Sequence, residues 1–255
     1  MIIRKSEAEL ERMARAGRVV VDVLALVGEH ARPGATTAEL DALAEDFIHA
    51  QGGVPTFKGY RGYPASICTS PNDMIVHGIP GRYVLEEGDI LSVDVGVTLD
   101  GYVADSAYTF AIGRVQPEAE RLLEVCQDAL AAGVEQCFPG GRLSDISHAV
   151  QQVTEENGYS VVRALVGHGV GRSMHEDPQI PNFGPPGRGP ELASGMVFAI
   201  EPMINAGGPD IRVHDDEWSI STADGSLSAH FEHTVAVTEE GPRILTLAEA
   251  PVPGR

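Results

Sequence analysis

The chain has 255 residues, 43% of them apolar, and a formal net charge of −19. Negative charge on that scale excludes a surface organised around nucleic-acid phosphates. Apolar windows such as "VVVDVLALVG" at 19–28 are too short and too interrupted to cross a bilayer, and the N-terminus lacks a basic-then-apolar signal, so a cytoplasmic protein with no membrane partner is expected.

Ser6 with Glu9 and Thr36 with Glu39 fit the capping-box pattern, and each pair precedes apolar residues at helical spacing. Two helices are expected there. A glycine-punctuated, β-rich stretch follows at about 63–112, then two more helices over 117–136, opened by Pro117, and 144–157, opened by Ser144. A second β-rich stretch fills about 160–240. The class is α+β, with helices covering one face of an antiparallel sheet. Nothing in the composition marks a linker, so one domain over 1–255 is expected. Cys68, Cys126 and Cys137 show no CxxC spacing and fit free thiols in a reducing compartment.

The chain echoes itself. "RPGATTAEL" at 32–40 corresponds to "FPGGRLSDI" at 138–146, and "GDILSVD" at 88–94 to "GMVFAIE" at 195–201, both at an offset of 106 to 107 residues. A duplicated unit leaves such a pattern, giving halves of about 1–115 and 116–250, with Glu201 the counterpart of Asp94.

Within "SVDVGVTLDGYVADSAY" at 92–108, Asp100-Gly101 is the dipeptide most favoured in a type I′ hairpin turn. Pairing Leu99 with Tyr102 then sets Asp94 opposite Ala107 and Asp105 opposite Gly96. Both carboxylates share one face, roughly 7 to 8 Å apart at the backbone. Two converging anions need a proton or a cation between them. Glu201 in "FAIEPMI" and Glu232 in "AHFEHTVAV" are further carboxylates in apolar strand contexts, and His168 in "LVGHGVGR" adds an imidazole between glycines. Taken singly, each has a commonplace structural explanation. Jointly, four carboxylates and a neutral imidazole carry a charge of about −4, which two divalent cations balance. Oxygen-rich donors without thiolate point to Mn, Fe, Co or Zn in a catalytic centre.

"GYRGYPASICTSPNDMIVHGIP" at 59–80, "SVDVG" with "ADSA", "GHGVGRSMHEDPQIPN" at 167–182, "IEPMI" at 200–204 and "HFEHT" at 230–234 together resemble the type I methionine aminopeptidases, in family order and across essentially the whole chain. The resemblance implies the pita-bread fold, a pseudo-twofold-symmetric α+β architecture whose central antiparallel sheet is covered by two pairs of helices. It also implies removal of the initiator methionine from nascent polypeptides with a small second residue, by a metal-bridging hydroxide. The metal ligands it implies are Asp94, Asp105, His168, Glu201 and Glu232, with Asp105 and Glu232 bridging two divalent ions. Glu201 would also shuttle a proton, His175 would donate to the oxyanion and His77 would contact the scissile amide. The methionine pocket maps onto Tyr60, Tyr63, Cys68, Met174, Phe198 and Trp218, with Phe57 at the rim. His30, His49 and His148 are expected to be structural.

The minimal bacterial form is expected, a monomer working on nascent chains near the ribosome exit. An Xaa-Pro aminopeptidase or prolidase would use the same ligands, but such enzymes carry a large N-terminal domain. A non-catalytic relative would be expected to have lost ligands.

Overall fold

Three of the four helices begin where their start signals stand. In this computed structural model, which describes residues 1–247, α1 spans Glu7–His30 and α2 spans Thr37–Ala50. Glu9 Oε2 accepts the Ser6 N–H at 2.9 Å and Glu39 Oε2 the Thr36 N–H at 2.7 Å, each satisfying a backbone donor that a helix start leaves open. Helices α3 (Pro117–Val134) and α4 (Leu143–Glu156) follow. α4 starts one residue earlier than Ser144 led us to expect. Its capping group is Asp145, which accepts the Arg142 N–H at 2.8 Å, while the Ser144 hydroxyl accepts the Arg188 N–H at 2.7 Å.

Strand β1 is Cys68–Pro71, β2 Ile90–Leu99 and β3 Tyr102–Ala111. β2 and β3 form the expected hairpin, with Leu99 opposite Tyr102, Asp94 opposite Ala107 and Gly96 opposite Asp105. Asp100 and Gly101, at φ 50° and 76°, make its left-handed turn. β1 lies along the other edge of β2 and sets Cys68 opposite Asp94. The second half supplies β4 (Val166–Gly169), β5 (Glu176–Pro181), β6 (Val197–Ile200), β7 (Met203–Asn205), β8 (Ser228–His230), β9 (His233–Thr238) and β10 (Gly241–Ile244). The order β10-β9-β6-β4-β5 makes one antiparallel sheet, and β7 pairs with β8.

Helices α1 and α2 bury Val20, Val23, Val27, Leu40 and Ile48 against Val93 and Val95 of the hairpin. Helices α3 and α4 bury Leu122, Leu130, Ile146 and Val150 against Phe198, Ile200 and Val235. Each such side chain contributes about 1.5–3 kcal/mol when fully buried, so these two layers hold the strands between them.

Some backbone bonds recur at the offset of the two sequence matches. Gly34 N–H donates to Leu85 O at 2.8 Å, and Gly140 N–H to Leu192 O at 2.9 Å; Leu85 N–H returns to Ala35 O and Leu192 N–H to Gly141 O. Isolated bridges join Thr36 to Val84 and Arg142 to Glu191 at the same offset. Where the halves meet, side-chain hydroxyls stitch β3 to the segment around Glu232. Thr234 Oγ1 accepts the Asp105 N–H at 2.9 Å and donates to Asp105 O at 2.7 Å. Ser106 Oγ donates to Glu232 O, and Glu232 N–H donates to Ala107 O at 3.0 Å. This seam fixes Asp105 and Glu232 side by side.

Candidate active site

Asp94, Asp105, His168, Glu201 and Glu232 line one cavity of about 160 Å³. Five different segments bring them there. β2 and β3 carry the two aspartates, β4 carries His168, the residue just after β6 is Glu201, and the seam holds Glu232. The glycines beside His168 are required by close approach: a Cβ on Gly167 would lie 2.5 Å from Ala199 O, and one on Gly169 would lie 2.1 Å from Asp177 O. Only glycine lets β4 press that closely between its neighbours.

Asp105 and Glu232 are 2% and 1% exposed. Asp94 Oδ1, Asp105 Oδ1 and Glu232 Oε1 are buried without a hydrogen-bond partner among the described residues. Donor atoms of Asp105, His168 and Glu232 lie within 4.8 Å of one another, and His168 Nε2 stands 3.7 Å from Asp105 Oδ2 and 3.5 Å from Glu201 Oε1. The other ring nitrogen, Nδ1, lies 2.9 Å from Gly169 O. A neutral imidazole donating there turns its Nε2 lone pair towards the carboxylates.

These oxygens and this lone pair repel unless a positive charge stands among them. Burial, followed by the neighbouring carboxylates, pushes Asp105 and Glu232 well above the ordinary carboxyl range, and Glu201 likewise; burial lifts Asp94 to about 7. Burial lowers His168 to about 4, which keeps its imidazole neutral and able to ligate. The donor set therefore fits divalent cations.

The remaining wall is aromatic. Tyr60, Tyr63, Cys68, Met174 and Trp218 line it together with His77 and His175, as do Phe57 and Arg61. Trp218 packs edge-on against Tyr63 at 5.1 Å between centroids and against His77 at 6.4 Å. Tyr63 donates to Gly78 O at 2.9 Å, tying the wall to the turn that carries His77. His77 has a left-handed backbone, φ 59°, a conformation that costs a non-glycine residue of order 1–3 kcal/mol and concentrates at functional sites. Burial lowers its imidazole to about 4. His175 stacks on Tyr60, and the Tyr60 hydroxyl meets His175 Nδ1 at 2.9 Å; its ring centre is 4.2 Å from that of His168.

Phe198 stands apart from this wall, contrary to expectation. Its side chain is fully buried among the residues of α3 and α4. Alternation along β6 explains it: Val197 faces the cluster holding Met174, so Phe198 and Ile200 face the helices. Two neighbours escaped the sequence reading. Arg61 is one, its guanidinium 5.4 Å from the centre of the Tyr60 ring. His230 is the other, 1% exposed, with neither ring nitrogen hydrogen-bonded among the described residues and Nε2 3.7 Å from Glu201 Oε2. His30 and His49 are surface groups at helix ends, near Leu26 O and Glu45, and His148 lies on α4 away from this cavity.

Residues 11–239 match metallopeptidase family M24. A methionine aminopeptidase from Clostridium perfringens is 51% identical over 97% of this chain and 99% of its own length, and methionine aminopeptidase 1 of Bacillus subtilis is 51% identical over 96% and 99%. The chain belongs to the methionine aminopeptidases. A solved methionine aminopeptidase from Rickettsia prowazekii superposes with a TM-score of 0.96 at 42% identity, covering 97% of this chain and all of that one. The pita-bread architecture of this family is therefore the fold described above. A prolidase from Pyrococcus horikoshii, at 21% identity and a TM-score of 0.78, shares that fold, and this chain covers 65% of it. No helix among the described residues is long and apolar enough to cross a membrane.

Proposed function

We propose that the chain removes the N-terminal methionine from nascent polypeptides whose second residue is small. The observation that carries this reading is the convergence of four carboxylates and His168 on the floor of a cavity walled by aromatic and sulfur-bearing side chains. Asp94, Asp105, His168, Glu201 and Glu232 would hold two divalent ions of Mn, Fe, Co or Zn, Asp105 and Glu232 contributing to both. When bound, the ions supply an acidified water and an electrophile for the scissile carbonyl.

The chain's own groups do the rest. Tyr60, Tyr63, Cys68, Met174 and Trp218 take up the methionine side chain, a flexible thioether suited to soft and aromatic surroundings. A phenol donating to His175 Nδ1 leaves the proton of the neutral imidazole on Nε2, ready to donate to the oxyanion. Partial burial, and after it the nearby Arg61, lowers His175 and keeps it in that neutral form. His77 contacts the scissile amide, and Glu201 carries a proton to the departing amine. Asn182 Nδ2 donates to Glu201 O at 2.9 Å and fixes the backbone at that carboxylate.

The same reading gives a single domain built from two related halves, acting as a cytoplasmic monomer close to the ribosome exit. Peptides Met-Ala-Ser and Met-Trp-Ser test the specificity: cleavage of the first at least about a hundredfold faster by kcat/KM is expected, about 2.7 kcal/mol of discrimination. Comparable cleavage of both would overturn the small-residue requirement.

A further inference from the structure

The turn between β4 and β5 carries His175, and its underside is built around a charge. Glu176 Oε1 accepts the Arg172 N–H at 2.9 Å and the Ser173 N–H at 3.3 Å, while Oε2 accepts from Lys5 Nζ at 2.7 Å. Lys5 belongs to the segment before α1, far away in sequence. That segment is itself fixed: Lys5 N–H donates to Gly195 O at 2.6 Å, and Lys5 Nζ also donates to Ile3 O at 3.1 Å. The two side chains are only 4% and 9% exposed. Gly171 opens the slot, since a Cβ there would lie 2.5 Å from Lys5 Cε and 2.6 Å from Glu176 Oε1.

A buried ion pair is a poor device for stability, because apolar residues of equal volume often do as well or better. It does fix geometry. Here one carboxylate locks two consecutive backbone N–H groups of the turn, and the ammonium locks the carboxylate. On the upper side, Gly171 O accepts the Val103 N–H at 2.7 Å, and Tyr60 holds His175 Nδ1. The turn is thus held from below by the N-terminal segment and from above by the hairpin and Tyr60.

We propose that Lys5 is a positioning residue for catalysis: through Glu176 it fixes the turn that presents His175 to the reacting carbonyl. The proposal rests on the oxyanion role assigned to His175 above. A displacement of about 1 Å at a group aimed at a transition state can cost up to about a hundredfold in rate, so a loosened turn is read in kcat.

The test is a double-mutant cycle on the metal-loaded enzyme, with metal content and thermal midpoint measured beside kcat. Lys5→Met is expected to lower kcat about tenfold with metal content unchanged, and Lys5→Arg to keep most of the rate. In a His175→Ala background, Lys5→Met is expected to change kcat by less than about twofold, because both act through one side chain. An equal loss in both backgrounds, or a loss that follows metal content, overturns the proposal. Should Lys5→Met fail to fold, Glu176→Gln runs the same cycle with the same expectation and the same contrary result. An unchanged kcat in His175→Ala alone overturns the role given to His175, whereas a large loss there with additive Lys5→Met overturns only the part given to Lys5.

Discussion

Asp105 and Glu232 stood out in the sequence only jointly: taken singly each has a commonplace structural explanation, and it is the recurrence of such carboxylates in apolar strand contexts that singles them out. Their joint burial supplies a sharp expectation. Asp105→Asn leaves a neutral amide where charge is shared, so occupancy of both ions should fall together, by more than about tenfold in affinity, in a metal titration. Normal binding of two ions by that variant would refute sharing. The histidines separate differently. His175→Ala should lower kcat on the order of a hundredfold to a thousandfold with metal content intact, and His168→Ala should reduce metal content itself. Titration gives a third expectation. Asp94 and its neighbours have folded values raised above their unfolded ones, so the folded state holds more protons and their contribution falls as pH rises. His77, His168 and His230 are lowered by burial and act in the opposite sense, costing stability only as pH falls below about 6.5, their unfolded value. Above about 6.5 the imidazoles are neutral in both states and cancel. Metal-free protein should therefore lose thermal stability between pH 6.5 and 8, and saturating Mn²⁺ should restore it; a midpoint that rises over that window without metal would contradict the carboxylate cluster. His230 was not legible: a histidine beside a ligand motif carries no mark in sequence, and only its burial without a hydrogen bond makes it conspicuous.

At the scale of elements, capping signals and strand alternation read well, and one error shows how. Assigning Glu201 to the site already fixes the parity of β6, because side chains two apart share a face: Val197 and Ala199 then point with Glu201, and Phe198 cannot. An aromatic between two site motifs drew attention that the alternation should have refused. Phe198→Ala should accordingly act as a core truncation, costing about 3–5 kcal/mol in chemical denaturation while leaving the preference for methionine over leucine unchanged. Altered specificity with unchanged stability would return Phe198 to the pocket. The start of α4 was missed by one residue for a related reason. Serine and aspartate both cap helices, and only the loop partner of Ser144, the Arg188 N–H, shows which of them was free to do so.

For the whole molecule, the proposed duplication rests on two short matches at turns and strand entries, which constrain residue type more than helix surfaces do. The structure repeats the corresponding backbone bonds in both halves, Gly34 to Leu85 and Gly140 to Leu192, although few side chains agree. What no local pattern supplied was the seam, where Thr234 and Ser106 bind across the halves and bring Asp105 against Glu232. Contacts between residues more than a hundred positions apart leave no periodicity to read. The central claim is that this seam builds a metal-dependent site for an N-terminal methionine. It is tested most directly by assaying Met-Ala-Ser and Ala-Pro-Ala peptides with protein verified as metal-free, then with Mn²⁺, Fe²⁺ or Co²⁺ added anaerobically. Release of methionine from the first peptide alone, and only after metal is added, is the predicted result; full turnover without metal, or release of alanine from Ala-Pro-Ala, would contradict it.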